Sequence, residues 1–343
     1  MNNPAVDRYF QDISKKFEIS ADNVRRIAFG EDTGLKHSII SSVLIEFVRH
    51  STTSDGLIFA MVWQGEHVDN VVTNLQDYDW TAQVMEGLNL RLHRTPYRTQ
   101  MIFANSIFAD YAYFEYLLEK RPGAAFIILQ PDDISEIQAV CNQKDLPLVL
   151  LAPPAKVDLS LHYTIRVDDK SAMKNTVEYI FKLGHRRIAF ITGNQKHYAG
   201  VERLAGYYEG LKDVGLSLNE DWIFEGNWRE DTGYSAAQHF LNTAPQPTAI
   251  ISSNDQMALG AIKSIQTAGL NVPGNISVVG CNDIATTMRE KPALTTVHIP
   301  MTHLGKKAGE YAIDLLNGRT PESQHYVVET KLIPRESTAP PPA

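Results

Sequence analysis

Three stretches decide the fold class: Thr248-Ala-Ile-Ile-Ser-Ser-Asn-Asp-Gln-Met-Ala-Leu-Gly-Ala-Ile-Lys263, Asn275-Ile-Ser-Val-Val-Gly-Cys-Asn-Asp283 and Leu294-Thr-Thr-Val-His-Ile-Pro300. Ala249 to Ile251 is an apolar run that stops at Asn254-Asp255. A helical pattern follows at once, with Met257, Leu259, Ile262 and Ile265 on one side. Ile276 to Val279 is a second, mostly apolar run, and it stops at Asn282-Asp283. Short apolar runs joined by a helix are the mark of buried parallel strands. Open parallel sheets bind ligands just beyond the carboxyl ends of their strands. Both Asn-Asp pairs fall there, so the stretch predicts a site for a small polar molecule.

Working outward, the chain alternates between strand and helix. Strands are expected at Leu57–Trp63, Met101–Ala104, Ala124–Leu129 and Leu148–Leu151, and helices at Trp80–Leu92, Tyr111–Lys120 and Ile134–Asn142. A second round begins near Tyr163: strands Thr164–Val167 and Ile188–Ile191, with helices Ala172–Leu183, Val201–Val214 and one from Gly233 or Tyr234 to Leu241. After Pro300 come a helix, Leu304–Leu316, and a last strand, Tyr326–Leu332. Such alternation gives parallel sheets covered on both faces, here in two α/β subdomains of similar build. The first subdomain is expected to be 57–163 plus 301–323, and the second 164–300 plus 324–338. The Pro-rich end, 339–343, is expected to be disordered.

Residues 1–50 show helical spacing without strands. Val6, Phe10, Ile13 and Phe17 mark one helix, Ser20 caps a second over Ala21 to Phe29, and Leu35 to Val48 is a third. This is the layout of a helix-turn-helix head. The polar stretch 51–56 separates it from the α/β core.

At 343 residues the chain has room for two or three domains. Its 43% hydrophobic content and 21% charged content are those of a globular protein, and its net charge of −8 excludes a generally basic coat. Cys141 and Cys281 lie far apart, outside any CxxC pair, and read as small buried residues beside strands. The first residues show no apolar signal segment, and no run reaches the roughly 20 apolar residues of a membrane span. The expected compartment is the cytoplasm. The 11 histidines form no HExxH, and GxGxxG after a strand, GxxxxGK[ST] and GxSxG are all missing. No metal, cofactor or catalytic set is expected.

The segments Leu183-Gly-His-Arg-Arg-Ile-Ala-Phe-Ile-Thr-Gly193, Arg203-Leu-Ala-Gly-Tyr207, Glu225-Gly-Asn-Trp-Arg229, Asn254-Asp-Gln-Met-Ala-Leu-Gly260, Ile276-Ser-Val-Val-Gly280, Leu294-Thr-Thr-Val297 and Arg335-Glu-Ser-Thr-Ala-Pro-Pro341 resemble the LacI/GalR transcriptional regulators. They cover the second half in family order. The first α/β half matches only in element order. The resemblance implies a periplasmic-binding-protein-like core of two Rossmann-like subdomains crossed by three strands, with an effector cleft between them. It also implies a homodimer and a head that binds operator DNA.

Asp12 to Ile27 lines up with the family's head at Asp12, Ile13, Ser20, Val24, Arg26 and Ile27, and departs at Ser14, Phe17, Ile19 and Asn23. The family's longer linker, which carries a hinge helix, is reduced here to 51–56. Residues 1–55 hold seven cationic and eight anionic side chains, a net of −1, whereas cations supply most non-specific affinity for DNA. If the head works, Ser20, Ala21, Asp22, Arg25 and Arg26 face DNA, and Lys15 and Lys16 touch phosphate. The alternative is a solvated face of a small helical domain.

Within the core, the resemblance assigns Arg203 to effector hydroxyls or carboxylates, which suit a planar fork of donors. The dull alternative is a surface arginine pairing Glu202 or Glu209. The resemblance also makes Trp228 a stacking surface, with a lid over the core as its alternative. Asn254 and Asn282 have amides that suit vicinal hydroxyls, and helix capping is their competing role. Asp255 and Asp283 are expected to cap or brace. Trp63 and Met301 are weaker ligand candidates. Pro153-Pro154 stands where sugar-binding members place a carboxylate. The leading expectation is a regulator whose sugar-like effector alters operator binding. Its rivals are an effector-binding dimer that has lost DNA binding, an exported solute-binding protein and an α/β enzyme.

Overall fold

The computed structural model describes residues 4–28, 35, 39, 42–43, 56–63, 79–93, 95, 97–104, 125–129 and 134–342. The expected helix at Tyr111–Lys120, most of the third head helix and the linker residues 51–55 lie outside them.

In the head, α1 (Pro4–Phe17) and α2 (Ala21–Ala28) form as the spacing predicts. Glu18 takes a left-handed φ of 54° and reverses the chain. The Ser20 hydroxyl accepts the Asn23 main-chain N–H at 3.0 Å, which caps α2. Ile13, Val24 and Val43 are buried together, so the described part of the third element contributes to this small core.

Two six-stranded sheets make up the rest. The first runs β11-β5-β4-β3-β1-β2, from His325–Val328, Tyr163–Val167, Leu148–Leu151, Ala125–Leu129, Gly56–Trp63 and Tyr97–Ala104, all parallel. The second runs β12-β10-β9-β8-β6-β7, from Lys331–Ile333, Thr295–His298, Ser277–Asn282, Ala249–Ser252, Ile188–Thr192 and Ile223–Glu225. Only β12 is antiparallel, pairing Val297 with Leu332. Helices α3 (Asp79–Leu92) and α9 (Met301–Leu316) pack together against the first sheet. Helix α4 (Ser135–Lys144) follows β3. The second sheet carries α5 (Asp169–Lys182), α6 (Tyr198–Asp213), α7 (Glu230–Leu241) and α8 (Asp255–Thr267). No described helix is long and apolar enough to cross a membrane.

The chain crosses between the sheets three times: after Val167, at Pro300, and between Val328 and Lys331. This corrects the expected subdomain limits in two places. Thr164–Val167 does not open the second sheet but pairs with β4 in the first. The expected strand Tyr326–Leu332 is two strands, one in each sheet, because the chain leaves the first sheet at Glu329.

The C-terminal stretch is also corrected, since 339–342 are ordered against the second sheet. Ser337 is fully buried, and its hydroxyl donates to the Val278 carbonyl at 2.6 Å and accepts from the Thr295 N–H at 2.8 Å. The Ala339 carbonyl lies 2.8 Å from His185 Nε2, and Pro341 packs on Gly184. Val278 in β9 and Thr295 at the start of β10 thus find partners for their main-chain groups in the strap, which also accepts the Val278 N–H at the Ser337 carbonyl at 2.9 Å.

Candidate functional site

The carboxyl ends of β4 and β5 face the amino-terminal turns of α5 and α6. Main chain joins the two sides. The Tyr198 N–H donates to the Pro153 carbonyl at 3.1 Å, and the Ala155 N–H donates to the Lys196 carbonyl at 2.8 Å. Beside this latch lies a cavity of about 30 Å³, lined by Pro153 and Arg166 from one sheet and by Asp169, Tyr198 and Arg203 from the other. Trp80 and Leu304 close it from α3 and α9. That volume holds little more than one water, against the roughly 300–1,000 Å³ of a typical ligand pocket. The side chains of this arrangement fill the crevice.

Arg203 is 5% exposed. Its Nε donates to Asp169 Oδ1 at 2.7 Å, and its Nη1 donates to the Ser253 carbonyl. Burial pushes the Asp169 carboxyl above its usual range, against the pull of the Arg203 guanidinium. A guanidinium has five N–H donors, and these bonds occupy two of them. The surface pairing with Glu202 or Glu209 does not occur. Glu209 pairs Lys170 and Lys174 instead.

Trp228 lies over this arginine, the Arg203 guanidinium carbon 5.7 Å from its ring. The tryptophan holds a left-handed φ of 75°, a strained choice for a bulky residue. Three contacts enforce it. The indole N–H donates to His197 Nδ1 at 2.9 Å, the Asn254 amide donates to the Trp228 carbonyl at 2.7 Å, and Gly193 leaves room for the ring. A Cβ on Gly193 would sit 1.9 Å from the indole.

The other predicted residues divide. Asn254 Oδ1 accepts the Met257 N–H at 2.9 Å, so its amide caps α8 and anchors Trp228. Asn282 closes β9 with a φ of 123°, and its side chain makes no hydrogen bond among the described residues. Asp255 braces: it accepts from Thr296 Oγ1 at 2.5 Å and from the Ile284 N–H at 2.9 Å, and burial pushes its carboxyl up to about 6. Asp283 bonds Arg335 at 2.5 Å and His298 at 3.0 Å, again a brace. Met301 does not reach the cavity. It is buried in the apolar core, and Leu304 one turn later lines the crevice. Trp63 ends β1 and its side chain lies outside the described part. Cys141, in α4, and Cys281, in β9, are buried thiols pushed up to about 12. Among the described residues no acidic, histidine or cysteine cluster fits a metal.

In the head, Lys15, Lys16, Ala21 and Asp22 are exposed and Arg26 is half-buried. The Arg25 side chain lies outside the described part.

The sequence reading missed Arg166, Asp169, His197 and Tyr198. Asp168-Asp169 follows a strand end just as Asn254-Asp255 does, so the same rule would have found Asp169.

A periplasmic binding protein-like domain profile matches residues 177–338. The HTH-type transcriptional repressor PurR of Klebsiella pneumoniae subsp. pneumoniae is 31% identical over 238 residues, 68% of this chain and 69% of that protein. The structure of the transcriptional regulator CelR–cellobiose complex superposes with a TM-score of 0.71 at 23% identity, over 96% of this chain and 99% of that one. The lac repressor dimer bound to operator and the anti-inducer ONPF gives a TM-score of 0.69 at 22% identity, over 86% and 98%. The chain belongs to the LacI/GalR family of transcriptional regulators.

Proposed function

We propose that this regulator binds a small polar effector in the crevice at Arg203 and that the effector alters operator binding by a homodimer. The observation that carries the reading is the buried Arg203–Asp169 pair at the junction of the two sheets, beside a latch that the crevice must break to admit a ligand. Burying an ion pair costs much of what the pair returns. A site that keeps donors beyond those the pair uses is suited to hydroxyls or acids. Arg203 and Trp228 face the effector, Asn254 holds Trp228 in place, and Asn282 flanks. Cellobiose in the CelR complex supports a sugar or sugar derivative as the ligand class. Effector binding favours one arrangement of the lobes over another, and this difference in affinity is the only source of the change in DNA binding.

The test is a thermal-shift screen of the whole chain against sugars, sugar phosphates, nucleobases and small acids, repeated on Arg203→Lys. Arg203→Ala is the poorer variant, because leaving Asp169 unpaired costs roughly 3–5 kcal/mol. A ligand that stabilises wild type and leaves Arg203→Lys unmoved is the expected result. An undiminished response in that variant sinks the assignment.

A second reading, an effector-binding dimer without operator binding, is favoured by exposed Asp22 on α2 and by the near-neutral head. Gel shifts on DNA upstream of the gene, across a salt series, separate the two. Binding that weakens with salt supports the regulator.

A further inference from the structure

We infer that the effector is an anion, with a carboxylate or phosphate group seated between Arg166 and Arg203. The inference rests on the crevice assignment above and narrows its ligand class.

Arg166 lies in β5, on the first-sheet side of the crevice, and Arg203 on the second-sheet side. Among the described residues, the crevice lining holds these two guanidiniums and one carboxylate, Asp169. Asp169 is committed to Arg203 at 2.7 Å. Arg166 makes no ion pair among the described residues. Its Nη1 donates to the Tyr198 hydroxyl, and its guanidinium carbon lies 5.1 Å from the Tyr198 ring centre. Its Nε–H is buried without an acceptor among the described residues. A buried N–H of a charged group is expected to find a partner, and the strongest partner for a guanidinium is a planar or tetrahedral oxyanion bound by two donors. Pro153, rather than an acid, faces it from the end of β4. A neutral sugar would leave one positive charge uncompensated in a desolvated crevice, whereas an acid neutralises it. Glu202 stands one residue from Arg203 but does not line the cavity, so it does not supply that charge there.

The experiment uses inorganic phosphate as the minimal probe, on the whole chain, at ionic strength held constant with chloride. Wild type is expected to show a saturable rise in melting temperature with phosphate. Arg166→Gln, which keeps a donor for Tyr198, is expected to fold alike by circular dichroism and to lose at least tenfold in phosphate affinity. Glucuronate and glucose 6-phosphate distinguish the carboxylate from the phosphate source, and glucose is the neutral control. No saturable phosphate response in wild type, or an equal one in Arg166→Gln, overturns the inference. So does a glucose response as strong as that of both acids. A glucose response lost in Arg203→Lys but kept in Arg166→Gln would overturn the anion alone and leave the crevice reading standing.

Discussion

The side chain of Asn254 joins two elements: its Oδ1 accepts the Met257 N–H at 2.9 Å while its Nδ2–H donates to the Trp228 carbonyl at 2.7 Å. A residue expected to touch ligand therefore sets the pose of another. Asn254→Ala removes a helix cap, worth about 1 kcal/mol, and a buried hydrogen bond worth about as much. We expect a loss of about 2 kcal/mol in urea unfolding, and about 1 kcal/mol for Asn254→Ser, which keeps a capping oxygen. No loss in Asn254→Ser would show that the bond to Trp228 contributes nothing, and equal losses in the two variants would show the same of the cap.

Asp255 gives the fold a pH dependence. Burial outweighs its bonds from Thr296 and Ile284 and raises its carboxyl from 3.8 to about 6. An acid with a raised folded-state value favours folding in its protonated form. Its contribution is complete below about pH 4 and is lost as pH rises through about 6. At about 1.4 kcal/mol for each pH unit of separation, the change is on the order of 3 kcal/mol. Asp255→Asn should flatten this part of the stability profile relative to wild type. Parallel profiles from pH 4 to 7 would refute the assignment.

Ser337→Ala strands the Val278 carbonyl and the Thr295 N–H that the buried hydroxyl serves. Two unmet buried groups cost about 2 kcal/mol or more. Chemical denaturation should show this loss, and a change under about 0.5 kcal/mol, the range of an ordinary surface substitution, would mean that the strap is an ornament on the fold.

Gly193→Ala tests the floor under Trp228. Its new methyl would meet the indole at 1.9 Å, so the ring must leave its bond to His197. The expected readout is a change in tryptophan emission together with a weakened effector response. Emission identical to wild type would contradict the packing.

The second sheet was legible because its strands are continuous apolar runs with sharp polar ends. Ala249–Ile251 and Ile188–Ile191 were each located to within one residue of the strands that form. What was not legible depends on pairing. Tyr326 to Leu332 contains no glycine or proline, so nothing in its composition marks the step from one sheet to the other. The Pro-rich end suggested disorder, yet its order comes from Ser337, Thr338 and Ala339 meeting groups more than 40 residues away. Around the crevice, motifs point to Arg203 and to Trp228, which lies over it. They do not point to Arg166 and Tyr198, because the relation between a strand end and a helix start is set by tertiary contact.

The latch between Pro153, Ala155, Lys196 and Tyr198 consists of peptide groups, so only an exchange to proline at Ala155 or Tyr198, which removes an N–H, deletes one of its bonds. Deuterium uptake at the Ala155 and Tyr198 amides therefore clocks the parting of the lobes directly. An effector that holds the lobes together slows that clock, and one that wedges them apart speeds it, so the sign of the response is readable without any DNA in the tube.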